Sequence, residues 1–463
     1  MPAKYSIHPH EAQPRFKPII RSGIIAWEEG CLKCAVCVKK RCVYQVYDQR
    51  NLDGRQMLDS IDVLCKDCYR CVQGCPARLL NKALSPAYSQ IGDDLFTPEV
   101  IVKTWAQATT GKIPVSGAGY GGVFSGKGFD AMWTDMSEIV RPTRDGIHGR
   151  EYISTGVDLG RKELYLSISK NGSGALPQHP TVRLELPVLF KTPSFGAVKR
   201  PFFTGIAAAA RKLLTQVIIP INLIDKTFNP YLAHMVPSLT AASRVNPAMM
   251  KKVSMVELSD HPAVIKQIAA VKKAAPKAPV IVRVALNKKS AARCLQLARA
   301  GAEILHLEGS DGGREKETKN SRYLKDVITE VHFALVSASL RDTVSVIASG
   351  GIAMAEHVAK AIICGADAVA ADLALMVGVE CMLCRGCEKG LPCPVSLDEV
   401  ESGWTSQRIV NLMCAWHNQL LEISGAMGIR DIRRMRGERG RAMFFEDLER
   451  QTFATLGTSN QRK

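Results

Sequence analysis

From residue 279 onward, short runs of apolar, β-branched residues alternate with longer segments in which apolar positions recur every three to four residues. Such alternation marks successive strand–helix units that build a parallel sheet. It predicts strands at 279–286 (PVIVRVAL), 303–308 (EILHLE), 344–348 (VSVIA) and 367–371 (DAVAA), with helices at 290–302, 324–340 and 354–365 between them. Upstream, 187–190 (PVLF), 216–222 (QVIIPIN) and 253–258 (VSMVEL) supply earlier strands, and 203–214 reads as a helix. A (β/α)8 barrel over about 187–400 is the most economical architecture, although a doubly wound open sheet would give the same alternation.

The rest of the chain divides by composition. Its 463 residues leave room for two or three domains. Ahead of the barrel we distinguish an N-terminal arm (1–30), a cysteine-rich module (31–83) and a glycine-rich connecting region (84–186); behind it lies a helical, basic tail (401–463). The most apolar stretch, 361–379, is interrupted by Asp367, Asp372 and glycines, so it reads as a buried helix and strand rather than a membrane span. Residues 1–13 carry charges and prolines but no apolar leader core, and a cytoplasmic location is the expectation. The formal charge of +17 counts cysteines as neutral. Bound thiolates and a cofactor phosphate would each offset part of it. The remainder gathers at Arg430, Arg433, Arg434, Arg436, Arg439 and Arg441, which is either a docking face for an acidic redox partner or a solvated surface. No aromatic residues are interleaved there to favour nucleic acid.

Twelve of the 15 cysteines carry the chemistry. Cys31-x2-Cys34-x2-Cys37-x4-Cys42 and Cys65-x2-Cys68-x2-Cys71-x3-Cys75-Pro76 follow the spacing of a bacterial-type ferredoxin with two [4Fe-4S] clusters. Three thiolates at steps of three line a tight loop, and the fourth ligand of each cluster comes from the other run. Cys31, Cys34, Cys37 and Cys75 are thus assigned to one cluster, and Cys65, Cys68, Cys71 and Cys42 to the other. Zinc is the competing reading, but zinc motifs pair two CxxC arms and need no third cysteine at the same step. A third run, Cys381-x2-Cys384-x2-Cys387-x5-Cys393-Pro394, follows the last predicted barrel strand and suggests a further cluster beside the barrel mouth. Cys294, Cys364 and Cys414 fall on predicted helices and read as inert core residues.

The barrel offers a candidate phosphate cradle. Ser349, Gly350 and Gly351 end the penultimate strand, where glycines let backbone N–H groups approach an anion, and Ala371 ends the last strand. A tight turn with no ligand would use the same glycines. Ser310, Asp311, Gly312 and Gly313 close an earlier strand on the same rim. Arg283 is a charge inside an apolar strand and needs a partner; the pyrimidine edge of a reduced flavin is one. Gly117-x-Gly119-x-x-Gly122 matches a dinucleotide fingerprint literally, but a glycine-rich stretch follows where a helix should open, so a nicotinamide site is not expected.

Taken together, Thr192-Pro193-Ser194-Phe195-Gly196-Ala197, Ser310-Asp311-Gly312-Gly313, Ser349-Gly350-Gly351 and Cys393-Pro394-Val395 resemble the FMN-binding synthase domain of glutamate synthase. The stretch 425–445 looks like that of the archaeal-type members with a fused ferredoxin module. The resemblance implies FMN in a (β/α)8 barrel, electron exchange with an iron–sulfur cluster, and reductive formation of L-glutamate from 2-oxoglutarate and ammonia. It implies that Ser349, Gly350 and Gly351 hold the FMN phosphate, and Arg283 stands where the family has a lysine near the flavin. The family's cluster is [3Fe-4S], with ligands matching Cys381, Cys387 and Cys393; the extra Cys384 points toward [4Fe-4S]. After Asp-Gly-Gly the family continues Thr-Gly-Ala-Ser-Pro, whereas this chain has Arg314-Glu315-Lys316-Glu317, so the substrate rim is altered. Arg314 is suited to pairing a dicarboxylate. Cys31 is committed to a cluster and is no amidotransferase nucleophile, so ammonia comes from solution or a separate glutaminase. Electrons come from a ferredoxin, a redox partner subunit or an NAD(P)H-oxidising subunit. The rival reading is an electron-relay subunit of a larger redox complex.

Overall fold

In the computed structural model, eight parallel strands close into a barrel in sequential order, which decides against the open sheet. The structure describes residues 5–16, 19, 21–26, 32, 34, 36–44, 68–113, 126–134, 152–162, 167–172, 174–175, 180–243, 247–316 and 320–453. Ahead of the barrel, β1 (Ser22–Ala26) pairs antiparallel with β2 (Leu80–Leu84), so the cysteine-rich module draws one of its strands from the arm. The barrel strands are β3 (Val188–Lys191), β4 (Val217–Pro220), β5 (Met235–Leu239), β6 (Val256–Ser259), β7 (Val280–Ala285), β8 (Ile304–Glu308), β9 (Ser345–Ser349) and β10 (Ala368–Ala371). Parallel strands covered on both faces read as near-continuous apolar runs. All residues of β8, β9 and β10 are buried.

The sequence pattern yields seven of these strands and misses β5. Pro237 sits in its middle, in register with Ile219, and proline argues against a central strand because it donates no ladder bond. The segment before it, Ile221–His234, is made of 3-10 turns and lacks helical periodicity. The flanking helices include α1 (Pro98–Thr110), α2 (Arg200–Leu213), α3 (Val264–Ala274), α4 (Ser290–Arg299), α5 (Leu324–Ser337), α6 (Ala355–Cys364), α7 (Leu373–Gly378) and α8 (Ser402–Ala426). Of these α1 lies in the region read only as a glycine-rich connector. Its signals are local: Thr97 caps the Val100 N–H, Pro98 opens the first turn, and Gly111 ends it in the left-handed region at φ 69°.

The region read as a tail begins with α8, which is core: it packs on α1 and α2, and Trp416 is 1% exposed. Arg408 is fully buried on it. Its guanidinium donates to the carbonyls of Gly378, Ala12 and Trp105 and to Thr109 Oγ1, joining barrel, α1 and arm. The arm is strapped along the same helix, where Asn411 donates to His10 and Trp404 to Gln13. Two arginines of the C-terminal basic run are likewise paired within the chain. Arg433 pairs with Asp431 and Asp158, and Arg436 with Asp342 and Asp367. Burial pushes the thiols of Cys294 and Cys364 up to about 12, in keeping with inert core residues.

Candidate functional site

The C-terminal ends of the barrel strands carry a cluster of charges. Glu308, the last residue of β8, accepts from Lys191 Nζ at 2.8 Å, Arg283 Nη1 at 3.0 Å and Lys316 Nζ at 3.1 Å. Arg283 also donates to Ser259 Oγ at 2.7 Å, and Lys191 lies 3.6 Å from Asp372. Burial opposes ionisation of Glu308, but Lys191 and Arg283 outweigh it and hold the carboxyl well below the usual range. Burial likewise works against the Lys191 ammonium, and Asp372 with Glu308 more than restores it.

Beneath this layer runs a buried hydrogen-bonded chain. Ser238 Oγ donates to Glu257 Oε2 at 2.6 Å, Glu257 Oε1 meets His306 Nδ1 at 2.6 Å, and His306 Nε2 meets Ser349 Oγ at 2.8 Å. A carboxylate only accepts, so the proton of a neutral His306 ring sits on Nδ1 and Ser349 donates to Nε2. Burial alone would raise Glu257; His306, Arg283 and Ser238 bring it below the ordinary value instead.

Gly350 and Gly351 adopt φ of 88° and 73°, which L side chains avoid. A Cβ on Gly351 would lie 2.5 Å from Gly313 Cα, and one on Gly350 would lie 2.5 Å from the Ser310 carbonyl. The close approach requiring glycine here is therefore loop against loop, bringing 349–351 and 310–313 together on one rim. Beyond Ala371 the strand end differs from a bare cradle. Asp372 caps the Leu373 N–H at 2.7 Å, placing a carboxylate at the start of α7, and burial raises its pKa against the pull of Lys191.

Asp311 links this rim to the third cysteine run. It accepts from Ser194 Oγ and from Arg385 Nη2, each at 2.9 Å, while Arg385 stacks on Phe195 at 4.4 Å. Cys381, Cys384, Cys387 and Cys393 line one cavity together with Phe195 and Met376. The Leu383 N–H donates to Cys381 Sγ at 3.4 Å. Among the described residues eight non-glycines have positive φ, and six flank cysteine runs: Tyr69, Arg78, Glu380, Leu383, Arg385 and Ser396. Strained backbone of this kind persists where a functional site over-determines it. In the N-terminal module Cys37 is buried, Cys42, Cys71 and Cys75 are half-buried, and Cys34 and Cys68 are exposed. Cys31, Cys65, Glu317 and the Gly117–Gly122 stretch lie outside the described residues.

Arg314 faces away from the charge cluster. It stacks on Tyr323 at 4.3 Å, bonds the Tyr323 hydroxyl, and lines a cavity of about 380 Å³ with Lys127, Gly313 and Gly351. Among the described residues no carboxylate lies at ion-pair distance from it, but Asp93 and Asp94 line the same cavity, and Asp94, paired with Lys127 at 2.9 Å, is held below its ordinary pKa by Lys127 and in part by Arg314. The structure thus separates Arg283, locked among carboxylates, from Arg314, which is not. Lys191, Glu257, His306 and Glu308 were not anticipated, and Asp372 was placed only as the end of the last strand beside the cradle. The signal was the one that singled out Arg283, a polar residue inside or ending an apolar run, and it applies equally to VSMVEL and EILHLE.

Because its folded pKa is depressed, Glu308 contributes stability that is whole above its unfolded pKa of about 4.3 and lost as the pH falls toward the folded value. Glu308→Gln leaves Lys191 and Arg283 uncompensated and is expected to cost about 3 kcal/mol or more near pH 7. Denaturant unfolding across pH should show this difference shrinking below pH ~4.

Comparison with known proteins fits this geometry. Residues 243–430 match the model for the conserved region in glutamate synthase. The chain is 26% identical over 502 residues to the archaeal glutamate synthase (NADPH) of Archaeoglobus fulgidus, covering 93% of this chain and 96% of that one. It is 25% identical to the archaeal-type enzyme of Dehalococcoides mccartyi, covering 89% and 93%, and 24% identical to that of Thermotoga maritima, covering 88% and 92%. The similarity to archaeal-type glutamate synthases therefore extends over most of the chain, and the match to the conserved region of glutamate synthase runs from the loop before β6 to just past α8.

Proposed function

We propose that the chain is a glutamate synthase-like iron–sulfur flavoprotein, an oxidoreductase acting on CH-NH2 donors that passes electrons from ferredoxin-type clusters to FMN for reductive formation of L-glutamate from 2-oxoglutarate and ammonia. The observation that carries this reading is the junction at Asp311, where a four-cysteine loop is tied to the rim of a barrel mouth lined with paired charges.

The residues present fit the groups this reading requires. Lys191, Arg283 and Lys316, all held by Glu308, are the cations an anionic flavin would share with that carboxylate, and Gly350 and Gly351 keep the adjoining backbone free of side chains. Asp372 is the exception at the start of α7. The cysteine loop offers thiol donors at the spacing of a cubane, with an N–H group directed at sulfur. FMN, when bound, supplies the reducing hydride. Glu308 and Ser259 fix the Arg283 guanidinium, so its charge stays at the mouth. The Glu257–His306–Ser349 chain holds a proton at His306 Nδ1 and presents the Ser349 hydroxyl at the glycine loop. Arg314, with no carboxylate at ion-pair distance among the described residues, is the group that receives a substrate carboxylate.

The electron source is a ferredoxin, a redox partner subunit or a separate NAD(P)H-oxidising subunit, and ammonia comes from solution or a separate glutaminase. Among the described residues no helix is long and apolar enough to cross a membrane. A cytoplasmic location accords with this reading. A second reading, an electron-transfer subunit that makes no glutamate, is favoured by the altered rim: Glu315 is tied to Arg322 and Lys316 to Glu308.

Anaerobically prepared protein is expected to hold iron for three clusters together with FMN. Cys387→Ser should lose one cluster's iron with the barrel still folded by circular dichroism, and zinc without iron in the wild type would exclude the assignment. Arg314→Ala should raise the KM for 2-oxoglutarate by about 10-fold or more, the scale of a lost charged hydrogen bond, while flavin reduction by ferredoxin stays unchanged. If wild-type reduced flavin is not reoxidised by 2-oxoglutarate and ammonium even with partner subunits present, the relay reading holds.

A further inference from the structure

We infer that Arg15, on the N-terminal arm, is a positioning residue for the cluster of Cys381, Cys384, Cys387 and Cys393: it clamps the two ends of their loop and its charge raises the cluster's reduction potential. The inference rests on reading that loop as a cluster site. Arg15 reaches the loop on both sides. Its backbone N–H donates to Glu380 Oε1 at 2.9 Å, immediately before Cys381, and its Nη2 donates to the carbonyls of Val395 and, at 3.1 Å, Ser396, just beyond Cys393. Glu380 and Ser396 both have positive φ, at 76° and 40°, so the clamp holds the two strained residues where the loop leaves the barrel and returns.

The guanidinium is fixed in place. It lies 5.1 Å from the Phe16 ring and 5.2 Å from that of Trp404, whose own Nε1 donates to the Gln13 carbonyl at 2.9 Å and so holds the arm. Its Nη1 is buried and has no hydrogen-bond partner among the described residues. The charges around it leave a positive excess. Glu380 lies between Arg15 and the buried Arg408, whose Nη1 is 3.6 Å from Glu380 Oε1, while Asp398 is taken up by Lys199 at 3.0 Å. Two arginines therefore face one carboxylate at the root of the loop. A fixed cation beside the loop stabilises the more negative, reduced cluster over the oxidised one, and nearby charge and hydrogen bonds are among the levers that set cluster potentials.

The test is an EPR-monitored redox titration of anaerobic, full-length protein, with Cys387→Ser used to identify the signal of this cluster. Arg15→Ala is expected either to lose this cluster's iron or to keep it at a more negative midpoint potential, with the N-terminal cluster signals unmoved. Arg15→Lys, which keeps the charge, should restore most of the shift. Should the alanine variant fail to fold, Arg15→Gln removes the charge while keeping a donor and is read the same way. An uncharged variant whose cluster keeps full iron and the wild-type potential overturns the inference. Iron content and spectra unchanged by Cys387→Ser would instead overturn the cluster reading itself, and the inference with it.

Discussion

Glu308 cannot be buried as a charge without cations around it, and meeting that need organises the barrel mouth. A carboxylate at the end of β8 draws in Lys191 from β3, Arg283 from β7 and Lys316 from the rim loop. One group thereby couples strands that are distant in sequence. Removing a buried ion from water costs several kcal/mol, and only close, multiple partners offset it. The hydrogen-bonded chain from Ser238 to Ser349 obeys the same constraint one layer deeper, because each polar atom there is paired. The result is a polar floor, held rigid, beneath a rim of glycines.

That rim joins the barrel to the cysteine chemistry. Gly350 and Gly351 let the loop after β9 touch the loop after β8, and Asp311 on the latter grips Arg385 of the cysteine loop. Barrel closure, glycine contact and the Asp311 bridge form one continuous mechanical path. The N-terminal arm completes it from the far side, since Arg15 and Arg408 meet at Glu380. Residues that read as an arm and a tail in the sequence are thus the outer brace of the site.

How much of this was legible follows from the range of the signals. Strands and helices announce themselves by local periodicity, and every barrel strand but β5 was read, with α2, α4, α5 and α6, whereas β1, β2, α1 and α3 were not; Pro237 hid β5 because its missing N–H argues against the sheet position it occupies. Cysteine spacing is also local, and the structure gathers Cys381, Cys384, Cys387 and Cys393 around one cavity. Partnerships across the barrel are not local. Arg283 was visible as an anomaly, but its partner Glu308 lies 25 residues away on another strand, and nothing along the chain pairs them. The glycines were legible as a constraint, whereas the object they approach, Gly313 and Ser310, emerges only when the loops close.

The central claim is that the barrel mouth holds a flavin beside the glycine loop and that the cysteine loop beside it holds a cluster. The most direct measurement is FMN and iron content of anaerobic wild type and Gly351→Asp side by side. Aspartate there adds a side chain whose Cβ would lie 2.5 Å from Gly313 Cα, so it opens the contact between the two rim loops as well as placing a carboxylate beside the anionic group. The account predicts FMN in the wild type and its loss in the variant with iron retained. Wild type without FMN, or a variant that keeps its full flavin, would contradict it.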